Sequence, residues 1–273
     1  MQWLVNFFKY FAIRKYFAIR KCFLKNKMER TDLVEGGGGA AWIDCGTYYI
    51  SNAEQRSPEW HKTRTGRVTA SNFGTCAGHS RFSGPEALAH EIAGLKEKTF
   101  SDNSRRVMDY GTETEPKARE WYERTRNVKV KEYGLAVPKW NIYIGGSPDG
   151  IIEGTDGIIE IKCPEKMYGP LKERMTKPPP SDPYCHSHIW PTHYDQMQGC
   201  MAILNKSYCD YIVFSPPDGL AYVERIHFNR AYWETQLYPK IQEFLEVKLK
   251  PLLKQQGIEV QVPSVSQTVE RAR

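Results

Sequence analysis

Asp149, Glu160 and Lys162 lie within SPDGIIEGTDGIIEIKCP (Ser147–Pro164) and have side chains that could work together. Two carboxylates offer hard oxygen ligands to a small divalent cation such as Mg²⁺. An ammonium beside them can orient, or help deprotonate, a water attacking a phosphodiester, while the metal neutralises the phosphate and stabilises the leaving oxygen. The plainer reading is an acid–lysine ladder on a solvated hairpin, which alternating strands form by default.

Strand parity bears on that choice. A loop of two or four residues around Gly154–Gly157 makes paired residue numbers sum to an odd value. In the register centred on Thr155-Asp156, Asp149 faces Lys162 and Ile151 faces Glu160. Paired residues share a face with Cβ atoms about 4.5–5.5 Å apart. Glu160 and Lys162, two apart, share it too, and Ile159 and Ile161 point the other way. A three-residue loop would break this coincidence.

Around the hairpin, Ser57-Pro58-Glu59 is a helix start, with a cap, a first-turn proline and an acid. A second start follows at Thr69-Ala70-Ser71. Pro85–Lys96, Glu115–Arg126 and Thr192–Leu204 read as helices, the last with Thr192 and Asp195 placed as a capping box. Strands are expected over Val128–Val137, Tyr143–Glu153, Gly157–Cys163, Tyr208–Phe214 and Leu220–His227, and a long amphipathic helix from about Arg230. Helices before, between and after the strands imply an α/β fold, a mixed central β-sheet flanked by helices.

Composition narrows the classes. The 273 residues are 40% hydrophobic and 26% charged, as in a globular protein with a full core. Of the net charge of +6, seven Lys/Arg fall in residues 1–28, which contain no acid. Without those seven, 31 basic residues stand against 32 acidic ones, so a nucleic-acid surface must be a local patch. The seven cysteines are scattered without a CxxC pair, which implies reduced thiols in an intracellular compartment, nucleus or cytoplasm. The KYFAIR repeat (Lys9–Arg14, Lys15–Arg20) spirals its charges around a helix and favours no membrane face. Residues 1–28 are basic and acid-poor like a mitochondrial presequence but lack its serines; a basic tail, or translation upstream of a start at Met28, is the better reading. No apolar run reaches bilayer length. The expected division is a basic extension and Gly-rich linker over 1–56, a folded domain over 57–255 and a frayed tail over 256–273.

Pro148-Asp149 with Glu160-Ile161-Lys162 resembles the PD-(D/E)XK nuclease signature. A wider set is more specific: EWHKTRTGRVTAS (Glu59–Ser71), GTETEPKAR (Gly111–Arg119), SPDG (Ser147–Gly150), EIKCP (Glu160–Pro164) and YDQMQ (Tyr194–Gln198). In this order they resemble the lambda exonuclease family, also called the YqaJ viral recombinase domain. The resemblance spans roughly residues 57–215 and implies a restriction-endonuclease-like core. It implies a Mg²⁺-dependent 5′→3′ exonuclease on double-stranded DNA ends in recombination or repair, with Mn²⁺ as a possible substitute. Glu115, Asp149, Glu160 and the Ile161 carbonyl would hold the metal, with Glu113 a competitor to Glu115. Lys162 would hold the attacking water, and Gln198 would line the site, with Gln196 facing elsewhere. Arg64 and Ser71 would bind the DNA 5′ phosphate, and Arg67 would share that work or be solvated.

The resemblance also implies a single-strand annealing partner and a ring-shaped homotrimer, which the basic extension and the Lys177–Pro183 loop leave open. An endonuclease or RNA-acting nuclease on the same core, or a silent DNA-end or protein-binding module, are the rival readings. Cys185, His186, His188 and His193 could suggest zinc, but their spacing fits no standard finger.

Overall fold

The computed structural model describes residues 40–178 and 186–265. The KYFAIR repeat, the Gly36–Gly39 run, Cys185 and most of the proline-rich loop lie outside those residues.

The hairpin forms as a central part of the main sheet, not on its surface. Strands β7 (Gly150–Ile152) and β8 (Gly157–Lys162) are joined by the four residues 153–156, with Gly154 in the left-handed region at φ 72°. Gly150 pairs with Ile159 and Ile151 with Ile158, two residues away from the expected register. The sums stay odd, so the faces are as expected. The turn is centred one residue earlier, on Gly154-Thr155, which places Asp149 opposite Glu160 in place of Lys162.

β8 is the middle of a five-stranded sheet ordered β10–β9–β8–β7–β4, completed by β4 (Val130–Lys131), β9 (Tyr208–Ser215) and β10 (Leu220–His227). β8 and β9 run parallel and the other neighbours antiparallel. A strand covered on both faces needs a near-continuous apolar run, which Gly157–Ile161 supplies except at Glu160. Ile159, Ile161 and Ile152 pack with Ala118 and Tyr122 on one face, while Ile158 and Ile151 join Met197, Cys200 and Met201 on the other. Each such buried side chain contributes about 1.5–3 kcal/mol.

Among the described residues, seven helical segments surround the sheet: α1 (Pro58–Thr63), α2 (Phe73–Cys76, entered through a 3₁₀ turn at Ala70–Asn72), α3 (Pro85–Ile92), α4 (Asp102–Arg126), α5 (Gly169–Thr176), α6 (Pro191–Leu204) and α7 (residues 230–255). α5 and α6 both lie on the crossover between parallel β8 and β9. α7 includes two π-helical stretches, Trp233–Leu237 and Phe244–Leu249.

Several expectations need correction. α4 begins at Asp102, where Ser101 accepts from the Ser104 amide, and runs through Pro116. Pro116 therefore lies inside the helix and removes one backbone donor there. The expected strand Val128–Val137 divides between β4 and β5 (Ala136–Pro138), because its halves pair with different sheets. Tyr143–Glu153 likewise divides into β6 (Ile144–Gly145) and β7 around Pro148, which has no amide to donate. Asp195 does not cap α6: it is fully buried, 2.8 Å from His79 Nδ1 and 2.5 Å from Tyr232 Oη.

The fold also begins before residue 57. β1 (Trp42–Asp44) pairs with β2 (Tyr48–Ser51), and β2 with β5, burying Tyr48 and Ile50 in the main core. At the other end, Ile258 and Val260 pack on the core, so part of the expected tail is docked. Gly66 faces this tail at φ 70°, and a Cβ there would come within 2.8 Å of Val260. Among the described residues, Cys76, Cys163, Cys200 and Cys209 are free thiols, and no helix is long and apolar enough to cross a membrane.

Candidate active site

The two strands bring Asp149, Glu160 and Lys162 together. Asp149 enters β7 with its amide donating to Ile159 O at 3.2 Å, and its Oδ2 accepts from the Ile161 amide at 2.6 Å. Glu160 is 1% exposed, an unusual place for an acid. Its Oε1 accepts from Lys162 Nζ at 2.7 Å, while Oε2 is buried without a hydrogen-bond partner. Burial, then the neighbouring carboxylates Glu160 and Glu115, push the Asp149 carboxyl well above the usual range. Burial also raises Glu160, with Lys162 opposing. Burial works against the Lys162 charge, but Glu160 and Asp149 outweigh it and hold the group as ammonium.

The third acid comes from α4. Residues two apart on a helix point about 200° apart, so Glu113 and Glu115 cannot both face the site. Glu115 is the one whose charge is felt at Asp149 and Glu160, and Glu113 is exposed. Glu115 Oε2 accepts from Arg56 Nη2 at 2.6 Å, and Oε1 from Arg119 Nη2 at 3.1 Å. Neither acid stands in the first helical turn, because α4 starts thirteen residues before Glu115.

These side chains fit the divalent cation that the fold implies. Two buried acids whose charge is incompletely compensated, one with an orphaned oxygen, favour a bound cation. Asp149, Glu160 and the Ile161 carbonyl would hold it, with Glu115 nearby. Among the described residues no three of His, Cys, Asp and Glu already stand in ligating positions, and Glu115 is engaged by its two arginines.

The glutamines of α6 have exchanged roles. Gln196 Oε1 accepts from Lys162 Nζ at 3.3 Å. Gln198 is fully buried; its amide donates to His227 O at 3.0 Å and accepts from the Asn229 amide at 2.8 Å. Gln198 therefore ties β10 to the start of α7, and Gln196 faces the site. Residues 197–201 of α6 are all buried, so the helix offered no clean polar face from which to choose.

Arg64 and Ser71 are linked through Thr69. Arg64 stacks 4.0 Å over the Trp60 ring and donates from Nη2 to Thr69 Oγ1 at 2.9 Å. Thr69 Oγ1 is 3.3 Å from the exposed Ser71 hydroxyl. Burial lowers the Arg64 guanidinium to about 10, so it remains charged at neutral pH. Thr69 makes no side-chain cap to the turn that follows it. Arg67 does not join them: it is buried and donates to Ile142 O, Thr63 O and Gln261 O, stapling the C-terminal segment.

Trp60 links the two clusters by donating from Nε1 to Ser147 Oγ at 3.2 Å, two residues before Asp149. Gln55 braces the same turn, donating to Pro148 O at 3.0 Å and Tyr133 O at 2.9 Å. Gln55 and Arg56 were missed because they fall in the stretch read as linker, with no periodicity to mark them. The histidines do not converge on a metal: His186 and His188 approach Glu224, and His193 Nδ1 lies 3.1 Å from Tyr211 Oη. Burial opposes ionisation of Glu224, yet hydrogen bonds with His188 and Tyr222, and the nearby His186, hold it far below the usual carboxylate range.

A mixed sheet with helices on both faces and an acid–acid–lysine cluster on its central hairpin defines a PD-(D/E)XK-type α/β fold. The chain belongs to the YqaJ-like viral recombinase domain family, whose model matches residues 59–207. An alkaline exonuclease, LHK-Exo of Laribacter hongkongensis, superposes with a TM-score of 0.55 at 26% identity, covering 74% of this chain and 98% of that one. Its complex with dAMP superposes equally well, with the same identity and coverage. An uncharacterized protein of Acanthamoeba polyphaga mimivirus is 30% identical over 125 residues, 42% of this chain. That match spans about a fifth, 22%, of the viral protein's length.

Proposed function

We propose that this chain is a Mg²⁺-dependent deoxyribonuclease that degrades linear double-stranded DNA from its 5′ ends, in recombination or repair. The observation that carries the reading is the Trp60 bridge. It joins the Arg64–Thr69–Ser71 cluster to the turn bearing Asp149, so an end phosphate held at one would leave the DNA strand's next linkages near the other. The dAMP complex of the Laribacter hongkongensis alkaline exonuclease, a similar protein, supports a nucleotide-sized product.

Arg64 would grip the 5′ phosphate with its guanidinium fork, oriented by Trp60 and Thr69, while Ser71 donates its hydroxyl. Asp149, Glu160, Ile161 and Glu115 would hold the cation. When bound, Mg²⁺ or Mn²⁺ supplies Lewis-acid neutralisation of the phosphate and acidifies water. Lys162, kept protonated by Glu160, acts as a donor that orients the attacking water. Gln196 accepts from Lys162 and fixes where that ammonium points. A ring-shaped homo-oligomer and a single-strand annealing partner belong to the same proposal, testable by light scattering and by co-purification.

The test compares digestion of linear duplex bearing a 5′ phosphate or a 5′ hydroxyl, with Mg²⁺, for wild type and Lys162→Ala. Wild type is expected to digest the phosphorylated end faster and the variant neither. Equal cutting of both ends and of closed circles would make the protein an endonuclease. Binding of ends with no turnover in either form would make it a binding module.

A further inference from the structure

Arg56 stands outside the residues matched by the family model, yet its guanidinium reaches Glu115 across 59 residues of sequence. Its backbone is at φ 71°, a region that side-chain-bearing residues adopt at a cost. Asparagine holds the other two described non-glycine positions of this kind, and asparagine tolerates that region well. A strained arginine needs a compensating role. Neutralising Glu115 is a weak one, because Arg119 already binds the other carboxylate oxygen and is largely buried, whereas the Arg56 side chain is half exposed.

Position supplies a stronger role. Arg56, Trp60 and Arg64 are spaced four apart along the segment that forms α1. Trp60 touches the Asp149 turn and Arg64 the Thr69–Ser71 cluster, while Arg56 lies at the opposite end beside the acids. α1 has six residues and so is roughly 9 Å long. At about 3.4 Å of rise per nucleotide, that is a few steps along one DNA strand. A strand anchored by its end at Arg64 and laid along α1 would carry a later phosphate past Arg56.

Resting on the nuclease reading above, we propose that Arg56 is a second phosphate-binding arginine, an exchangeable partner of Glu115 that moves to a backbone phosphate of the DNA when a divalent cation takes that carboxylate. The exchange breaks one charge-assisted hydrogen bond and makes another, so no charge is left unpaired. It also explains why Glu115 is engaged by arginines while Asp149 and Glu160 are left short of positive charge.

The test uses Arg56→Gly in the full chain, because glycine accepts φ 71° and removes the guanidinium without adding strain. Binding of a 5′-phosphorylated duplex is followed by fluorescence anisotropy in Ca²⁺, and Ca²⁺ binding alone by calorimetry. Expected are a melting temperature at or above wild type, roughly tenfold weaker DNA binding in Ca²⁺, a salt slope shallower by about 0.9, and tighter Ca²⁺ binding. Unchanged DNA affinity and salt slope in Arg56→Gly, with wild type still digesting phosphorylated ends, would overturn the proposal for Arg56 and leave the nuclease reading standing. A wild type that neither binds nor digests duplex DNA would overturn the nuclease reading itself and Arg56 with it.

Discussion

At the scale of single residues, the site sets two similar side chains apart by one question, whether each is already satisfied. Gln198 has both ends of its amide bonded to backbone groups in the interior. Gln198→Ala is expected to lower stability by about 2–3 kcal/mol by leaving those groups unpaired, as read by urea denaturation. Gln196 meets Lys162 and is partly open to solvent. Gln196→Ala should leave the urea midpoint alone and slow DNA hydrolysis roughly tenfold, about 1.4 kcal/mol of barrier. The reverse assignment would return the roles to those the YDQMQ pattern suggested. His193 gives a pH signature. Burial first, and then Lys162, lower its imidazole from 6.5 to about 3, so the folded protein keeps it neutral. Between those values the unfolded chain binds a proton that the folded chain refuses, so stability falls as pH falls through that window. His193→Gln should flatten the fall in melting temperature from pH 6.5 downward; an unchanged slope would assign the fall to other groups.

Elements explain what could be read from the sequence and what could not. The two hairpins, the cap at Ser57 and the faces of β8 follow from local chemistry: turn residues, a proline at the first helical position and alternation. Their positions came out within a residue or two, and the parity argument tolerated a register error of two. Long-range partners left no such mark. β4 and β6 end, and β5 and β7 begin, where the pairing partner changes, Gln196 and Gln198 differ by packing around α6, and Pro116 sits inside a helix that its sequence would be expected to start. Arg67 shows this best. In RTGRVTAS it looks like a companion to Arg64, but it bonds carbonyls on three separate segments, one of them contributed by Gln261. Arg67→Ala is expected to cost about 3 kcal/mol, since three carbonyls, that of Thr63 buried, lose a charged donor. It should also speed hydrogen exchange over residues 258–263. Because Arg64 and Ser71 are untouched, the preference for a phosphorylated over a hydroxyl end should persist among the molecules that remain folded. Loss of that preference at full stability would place Arg67 on the DNA.

For the whole molecule, the central question is where the working unit begins. Charge and glycine content suggested residue 57, since the basic residues of the first segment and Gly36–Gly39 read as a tail and a linker. The physical boundary lies earlier. β1 and β2 extend the β5 edge, bury Tyr48 and Ile50, and lead directly into Gln55 and Arg56, which contact the Asp149 turn and Glu115. Fold and site therefore depend on the same fifteen or so residues. Burial of the two side chains alone contributes about 2 kcal/mol each, a large share of the 5–15 kcal/mol typical of a domain. A chain beginning at Ser57 should melt roughly 10 °C below one beginning at Ala40. It should also lose DNA hydrolysis at temperatures where it is still folded, because the Pro148 carbonyl has lost its brace from Gln55. Differential scanning calorimetry on the two chains, with activity measured well below both transitions, separates these effects. Equal melting and equal activity would restore the boundary at residue 57 and reduce β1 and β2 to an ornament of the sheet. Lower melting with full activity would keep the strands as structure while removing Gln55 and Arg56 from the site.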